Sequence, residues 1–196
     1  TTSAIERLNK NDNGFFLMVE GSQVDWAAHD NDIVGVMSEM EDFEKAFKVA
    51  IDFAKKDGHT LVIATADHST GGFTIGAKGQ YNWFSSVIKA VNRTPNYMAA
   101  EIVKGAGVKE TLTKYIELPL TKNEIRYVES AARTQKAKNI ENTIQKIIND
   151  RSLTGWTTSG HTGEDVNVYA YGPGSERLKG QIDNTDHAKI IFEILK

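Results

Sequence analysis

The chain has 196 residues, 40% of them apolar and 25% charged, with 23 Lys and Arg against 26 Asp and Glu for a net charge of −3. That balance suits a folded globular domain and argues against intrinsic disorder and against non-specific nucleic-acid binding, which needs clustered cations to neutralise phosphates. No run approaches the ~20 apolar residues of a membrane span, the opening Thr1-Thr2-Ser3 has no export-signal pattern, and without cysteine any metal must be held by His and carboxylate.

The turn-like Asn11-Asp12-Asn13-Gly14 precedes Phe15-Phe16-Leu17-Met18-Val19, whose aromatic and branched content predicts a buried strand. From Asp32 to about Lys56, apolar residues recur every three or four positions (Ile33, Val36, Met37, Met40, Phe43, Phe47, Ala50, Ile51, Ala54). This spacing predicts an amphipathic helix, closed by Gly58 as C-cap. Thr60 to Ala66 is a second apolar run, predicted to be a strand buried on both faces. Strand, helix and strand form a βαβ unit with parallel strands and a right-handed crossover, so Glu20 and Asp67, just past the two strand ends, open onto one edge of the sheet.

Helical segments with polar connections follow: Trp83 to Asn92, Tyr97 to Lys104, Lys109 to Ile116, Asn123 to Arg133 and Ile140 to Asp150. Thr121 and Glu124 have the form of a capping box. A strand from Val166 to Tyr171 and a helix from Asp186 to Leu195, capped by Asn184 or Thr185, complete the chain. The expected fold class is therefore α/β, a mainly parallel sheet flanked by helices. Residues 1–75 and 161–196 form its core portion, and residues 76–160 form a mostly helical insertion.

Two segments concentrate chemistry at that sheet edge. After the first strand come Glu20, Asp25 and His29; if residues 25–29 are helical, the four-residue spacing puts Asp25 and His29 on one face, as metal ligands or as an ordinary solvated helix start. After the second strand, Asp67 and His68 adjoin Ser69-Thr70-Gly71-Gly72, a flexible small-residue loop at the carboxyl end of a strand, where open α/β sheets bind ligands. His161 lies between Gly160 and Thr162-Gly163, exposed as a loop ligand or a plain loop histidine. His59, beside a helix C-terminus, and His187, in the last helix, read as structural, and Trp83 and Trp156 as packing residues.

These residues resemble the second half of the bacterial alkaline phosphatases. The likeness is carried by Phe15 to Gly21, Asp25 with His29, Thr65 to Gly72, Gly160-His161-Thr162-Gly163, Tyr171-Gly172-Pro173-Gly174 and Asp183-Asn184-Thr185, while the helical stretch corresponds to the family's variable insertion. The resemblance implies hydrolysis of phosphate monoesters through a phosphoserine, with two zinc ions and one magnesium. It places Asp25, His29 and His161 on the first zinc, Asp67 and His68 on the second, and Glu20 on magnesium. Zinc takes imidazole and carboxylate and magnesium takes oxygen, which suits these residue types. Two departures stand out. Trp26 occupies a position that varies in the family between Trp, His and Lys, and the Asp-Ser-Ala motif of the nucleophile does not occur, nor is the phosphate-binding arginine identified.

The chain therefore resembles a C-terminal portion whose N-terminal half is missing. It is expected to be inactive alone, and homodimeric and periplasmic or secreted when intact. A non-catalytic metal-binding module and a related two-metal phosphodiesterase or phosphomutase are the competing readings. An Asp-Ser-Ala upstream of Thr1 would decide for the enzyme.

Overall fold

The computed structural model describes residues 1–195. Along the chain, α1 (Thr2–Leu8), α2 (Ser22–His29) and α3 (Ile33–Asp57) lead into three short strands, β1 (Val62–Ala64), β2 (Ser69–Thr70) and β3 (Thr74–Ile75). The helices α4 (Ser85–Lys89), α5 (Pro95–Val103), α6 (Val108–Tyr115), α7 (Lys122–Ala132) and α8 (Ala137–Ser152) follow. Then come β4 (Thr154–Gly155), β5 (His161–Thr162), β6 (Tyr169–Tyr171) and α9 (Asn184–Ile194). The chain divides into two compact units: residues 22–39 with 70–162, and residues 1–21 with 40–69 and 163 onward. The division falls inside α3.

The unit of residues 22–39 and 70–162 is organised around α8. Ile140, Ile144, Ile147 and Ile148 recur at three- and four-residue spacing, so one stripe of the helix is apolar and buried. This stripe packs against α4, α5 and α7, and joins Ile33, Met98, Leu112 and Val128 in one core. Each such side chain contributes ~1.5–3 kcal/mol by leaving water. Local chemistry sets the helix ends. Thr94 accepts a hydrogen bond from the Tyr97 N–H, with Pro95 at the first helical position of α5. The capping box forms as the sequence predicts: the Thr121 hydroxyl accepts from the Glu124 N–H, and the Glu124 carboxylate accepts from the Thr121 N–H at 2.7 Å. The predicted helix over residues 83–92 shrinks to Ser85–Lys89, because Phe84 is not helical and Val91 turns away to form an antiparallel bridge with Ile116.

In the other unit, β1 pairs with β6, Val62 opposite Tyr171 and Ala64 opposite Tyr169, and the ladder is antiparallel. Within the helical unit β3 and β4 also pair antiparallel. The mainly parallel sheet expected from the βαβ pattern is thus not formed by these ladders. Phe15 to Val19 likewise carries no strand ladder. Its composition suits a strand, but a strand exists only through hydrogen bonds to a neighbour, and Phe16 and Met18 are exposed instead. The expectation that β1 is buried on both faces also fails: Val62, Ile63 and Ala64 are half-buried, since β6 is the neighbour in their sheet. The long helix matches its predicted span closely, and Gly58 follows it with φ 75°, as a helix-closing residue requires. The last helix is capped by Asp183, whose carboxylate accepts from the Thr185 N–H at 2.9 Å, rather than by Asn184 or Thr185.

Candidate metal centre

The short helix α2 places Asp25 in its first turn and His29 in its last, one turn apart on the same face. Asp25 Oδ2 lies 3.5 Å from His29 Nε2, and both side chains are 37% exposed. β5 brings in His161, whose Nε2 is 3.2 Å from His29 Nε2, with ring centroids 5.0 Å apart. The donor atoms of Asp25, His29 and His161 all lie within 4.8 Å of one another, the one such group of ligand-type side chains among the described residues.

Hydrogen bonds behind two of the three donors orient them. His29 Nδ1 is 2.6 Å from the Ser159 carbonyl oxygen. A carbonyl only accepts, so Nδ1 carries the proton and Nε2 presents its lone pair toward His161. Thr70 Oγ1 donates to Asp25 Oδ1 at 2.6 Å, leaving Oδ2 on the side of His29. Neither partner is visible as a spacing, because Thr70 is 45 residues from Asp25 and Ser159 is 130 from His29.

The segment expected to be a flexible small-residue loop is in fact packed tightly. Gly71 and Gly72 are buried and adopt positive φ. A Cβ on Gly71 would stand 2.6 Å from Trp156 Cε3 and 2.8 Å from the Ala28 carbonyl oxygen. The Gly71 N–H donates to Gly160 O at 2.8 Å, and its carbonyl accepts from Thr157 and Thr158 N–H. Only glycine lets the backbones approach this closely, and the approach fixes the loop that delivers His161. Trp83 and Trp156 pack against the core, as the sequence suggests.

The donor set fits a tetrahedral zinc. Bonds of ~2.0–2.1 Å at the tetrahedral angle separate neighbouring donors by ~3.3–3.4 Å, and borderline zinc takes imidazole and carboxylate together. The His29–His161 and Asp25–His29 separations of 3.2 and 3.5 Å bracket that value, and the three donors together lie within 4.8 Å of one another, so binding a zinc would draw them closer. The carbonyl behind His29 is the outer partner that metal-ligating histidines almost always have.

The remaining candidates lie in the other unit. Asp67 and His68 follow β1 as an adjacent pair, Oδ2 to Nε2 3.4 Å, with the Asp67 side chain 88% exposed. Glu20 is exposed in the segment before α2.

Beyond α2, the helix start of α3 holds a buried acid. Asp32 Oδ1 accepts from the Val34 and Gly35 N–H groups at 3.0 and 3.1 Å, and the residue is 6% exposed. Burial pushes its carboxyl up to about 6 against the pull of those N–H bonds, and the charges of Glu141 and Asp30 push in the same direction as burial. Glu141, itself buried, accepts from Lys138 Nζ at 2.8 Å and Gln145 Nε2 at 3.2 Å, and Lys138 also reaches Asp30 at 2.6 Å.

The whole chain, residues 1–196, matches the family model described as alkaline phosphatase. It is 65% identical over 199 residues to alkaline phosphatase 3 of Bacillus subtilis (strain 168), covering 100% of this chain and 43% of that protein. Its structure resembles the crystal structure of a cold-active alkaline phosphatase from the psychrophile Shewanella sp., with a TM-score of 0.95 at 37% identity over 98% of this chain and 48% of that one. A mutant alkaline phosphatase of the Antarctic bacterium TAB5 with magnesium bound matches less closely, with a TM-score of 0.58 at 28% identity over 98% of this chain and 39% of that one. The chain spans less than half the length of each of these relatives.

Proposed function

Since the chain belongs to the alkaline phosphatase family, we propose that it is the metal-ligating portion of a phosphomonoester hydrolase whose serine nucleophile and phosphate-binding arginine lie outside these residues. Asp25, His29 and His161 hold the first zinc, Asp67 and His68 the second, and Glu20 a magnesium. The observation that carries this reading is the convergence of the Asp25, His29 and His161 donor atoms within 4.8 Å of one another, a set of imidazole and carboxylate ligands that zinc takes.

When bound, zinc supplies Lewis acidity and lowers the pKa of a coordinated water towards ~7. The residues of this chain do the orienting. The Ser159 carbonyl engages His29 through Nδ1, which leaves Nε2 as the nitrogen available for coordination. Thr70 fixes the Asp25 carboxylate by one oxygen and leaves the other for coordination. The half-exposed side chains leave room for water and a phosphate monoester to approach.

In the intact protein, the exposed apolar residues Phe16, Met18 and Val19 beside the segment ending at Glu20 suit a strand completed by the N-terminal half, in a mainly parallel sheet. By family likeness that protein is a homodimer, periplasmic or secreted.

Zinc competition against a chromogenic chelator tests the reading on the chain itself. One zinc should bind, and His161→Ala should weaken it by at least tenfold; no binding, or binding untouched by the substitution, refutes the site. Turnover of a chromogenic phosphate ester by the chain alone should be absent, and sustained turnover would show that the nucleophile has been misplaced.

A further inference from the structure

We infer that Asn31 is a positioning residue for the His29–His161 pair, acting through its side-chain amide on the loop that carries His161. Its consequence for metal affinity rests on the zinc reading above; the tether itself does not.

Three consecutive carbonyls of that loop are each captured by a different donor. Thr158 O accepts from Asn31 Nδ2 at 2.9 Å, Ser159 O from His29 Nδ1 at 2.6 Å, and Gly160 O from the Gly71 N–H at 2.8 Å. The middle bond sets the tautomer of His29, and it depends on where the Ser159 carbonyl stands. The Gly71 clasp fixes the peptide on one side of that carbonyl, and the Asn31 amide fixes the peptide on the other.

The backbone of Asn31 explains why the identity of this residue matters. The Asn31 N–H donates to Ala28 O at 3.0 Å and the Asp32 N–H to Ala27 O at 2.9 Å, the paired closure of a Schellman motif at the end of α2. Asn31 has the positive φ, 57°, that the motif requires. Glycine is the usual residue at such a position and would adopt it with less strain, while asparagine is the tolerated alternative. Here asparagine adds a donor that glycine lacks, and that donor is committed to Thr158. The Asn31 carbonyl in turn accepts from Asn149 Nδ2 of α8 at 3.4 Å, so the residue is held from the helical core as well.

This arrangement offers a clean perturbation in the full chain. Asn31→Gly keeps the helix closure and deletes the tether, and Asn31→Asp keeps the shape but removes the donor. Both should melt at the wild-type temperature or close to it. In metal-free protein, both should lose the slowly exchanging Nδ1 proton of His29 in long-range nitrogen–proton NMR spectra. Zinc affinity should fall by ~10–100-fold, the usual effect of removing an outer-shell support. Retention of the His29 Nδ1 proton in Asn31→Gly overturns the inference, whatever happens to zinc. Should wild-type chain bind no zinc, the zinc reading fails, and the Nδ1 proton alone decides the role of Asn31.

Discussion

Gly71→Ala tests whether the loop that carries His161 is clamped or merely flexible. Two terms can be worked from the structure. A non-glycine residue at φ +79° carries ~1–2 kcal/mol of backbone strain. The new methyl would also stand 2.6 and 2.7 Å from the Trp156 ring and 2.8 Å from the Ala28 carbonyl. The Trp156 ring packs at a tilt against Phe73, centroids 5.6 Å apart, and the Ala28 carbonyl belongs to the backbone of α2, so neither gives way easily. Overpacking of this kind costs ~1–3 kcal/mol. The total is ~2–5 kcal/mol, a large share of the ~5–15 kcal/mol typical of a folded domain. Urea unfolding followed by tryptophan fluorescence should show the midpoint falling with little change in slope. Gly163→Ala is the control: nothing lies within 4 Å of its Cβ position, and the effect should stay within ~0.5 kcal/mol. A loss below ~1 kcal/mol in Gly71→Ala would refute the clamp.

Two further substitutions probe pH dependence, with opposite signs. The Arg151 guanidinium, donating to Glu124 from Nε at 2.7 Å and from Nη2 at 2.6 Å, holds that carboxyl down at about 2, against an ordinary 4.5. The stabilisation is therefore fully present above pH ~4.5 and lost as pH falls towards 2. Glu124→Gln should lower stability by ~1–2 kcal/mol at pH 6, a figure discounted for solvent screening, and by almost nothing at pH 2; a constant difference in denaturation midpoints across that range would exclude the ion pair as its source. Asp32 behaves conversely. Its folded carboxyl keeps the proton up to about 6 whereas the unfolded one releases it near 3.8, so the folded state binds more protons between those values and stability declines as pH rises through them. Asn caps a helix as well as Asp does, so Asp32→Asn should abolish that decline, gaining up to ~3 kcal/mol at pH 7 and little at pH 4. Parallel unfolding curves at all pH values would show that Asp32 is not carrying a burial penalty.

What the sequence makes legible follows range of interaction. The span of α3 and the box at Thr121 and Glu124 are local, written in residues three or four apart, and the helices form accordingly. The spacing of Asp25 and His29 is legible for the same reason. Strands are different, because Phe15 to Val19 has the composition of a strand yet a ladder depends on what lies beside it. The pairing of β1 with β6 joins residues about a hundred positions apart, and no local pattern announces its direction. The hydrogen-bond partners of the candidate ligands are equally silent: Thr70 is an ordinary hydroxyl, and Ser159 contributes its backbone. Gly71 and Gly72 show the opposite failure, since small residues suggest mobility although here they mark a close contact between segments.

His29 and His161 stand 132 positions apart and enclose the whole run of helices α3 to α8 between them. A cation shared by the two rings is therefore also a staple. Closing a loop of that length removes unfolded-state entropy worth ~5 kcal/mol on the scale used for disulfide cross-links. Any species that binds the folded form alone deepens its stability in proportion to the logarithm of its concentration. On the zinc reading proposed above, the endurance of the helical segment would be set partly by the free zinc around it: in a chain without a single cysteine, two imidazoles and a metal would do the work of a covalent bridge, and a chelator would undo it without breaking a bond.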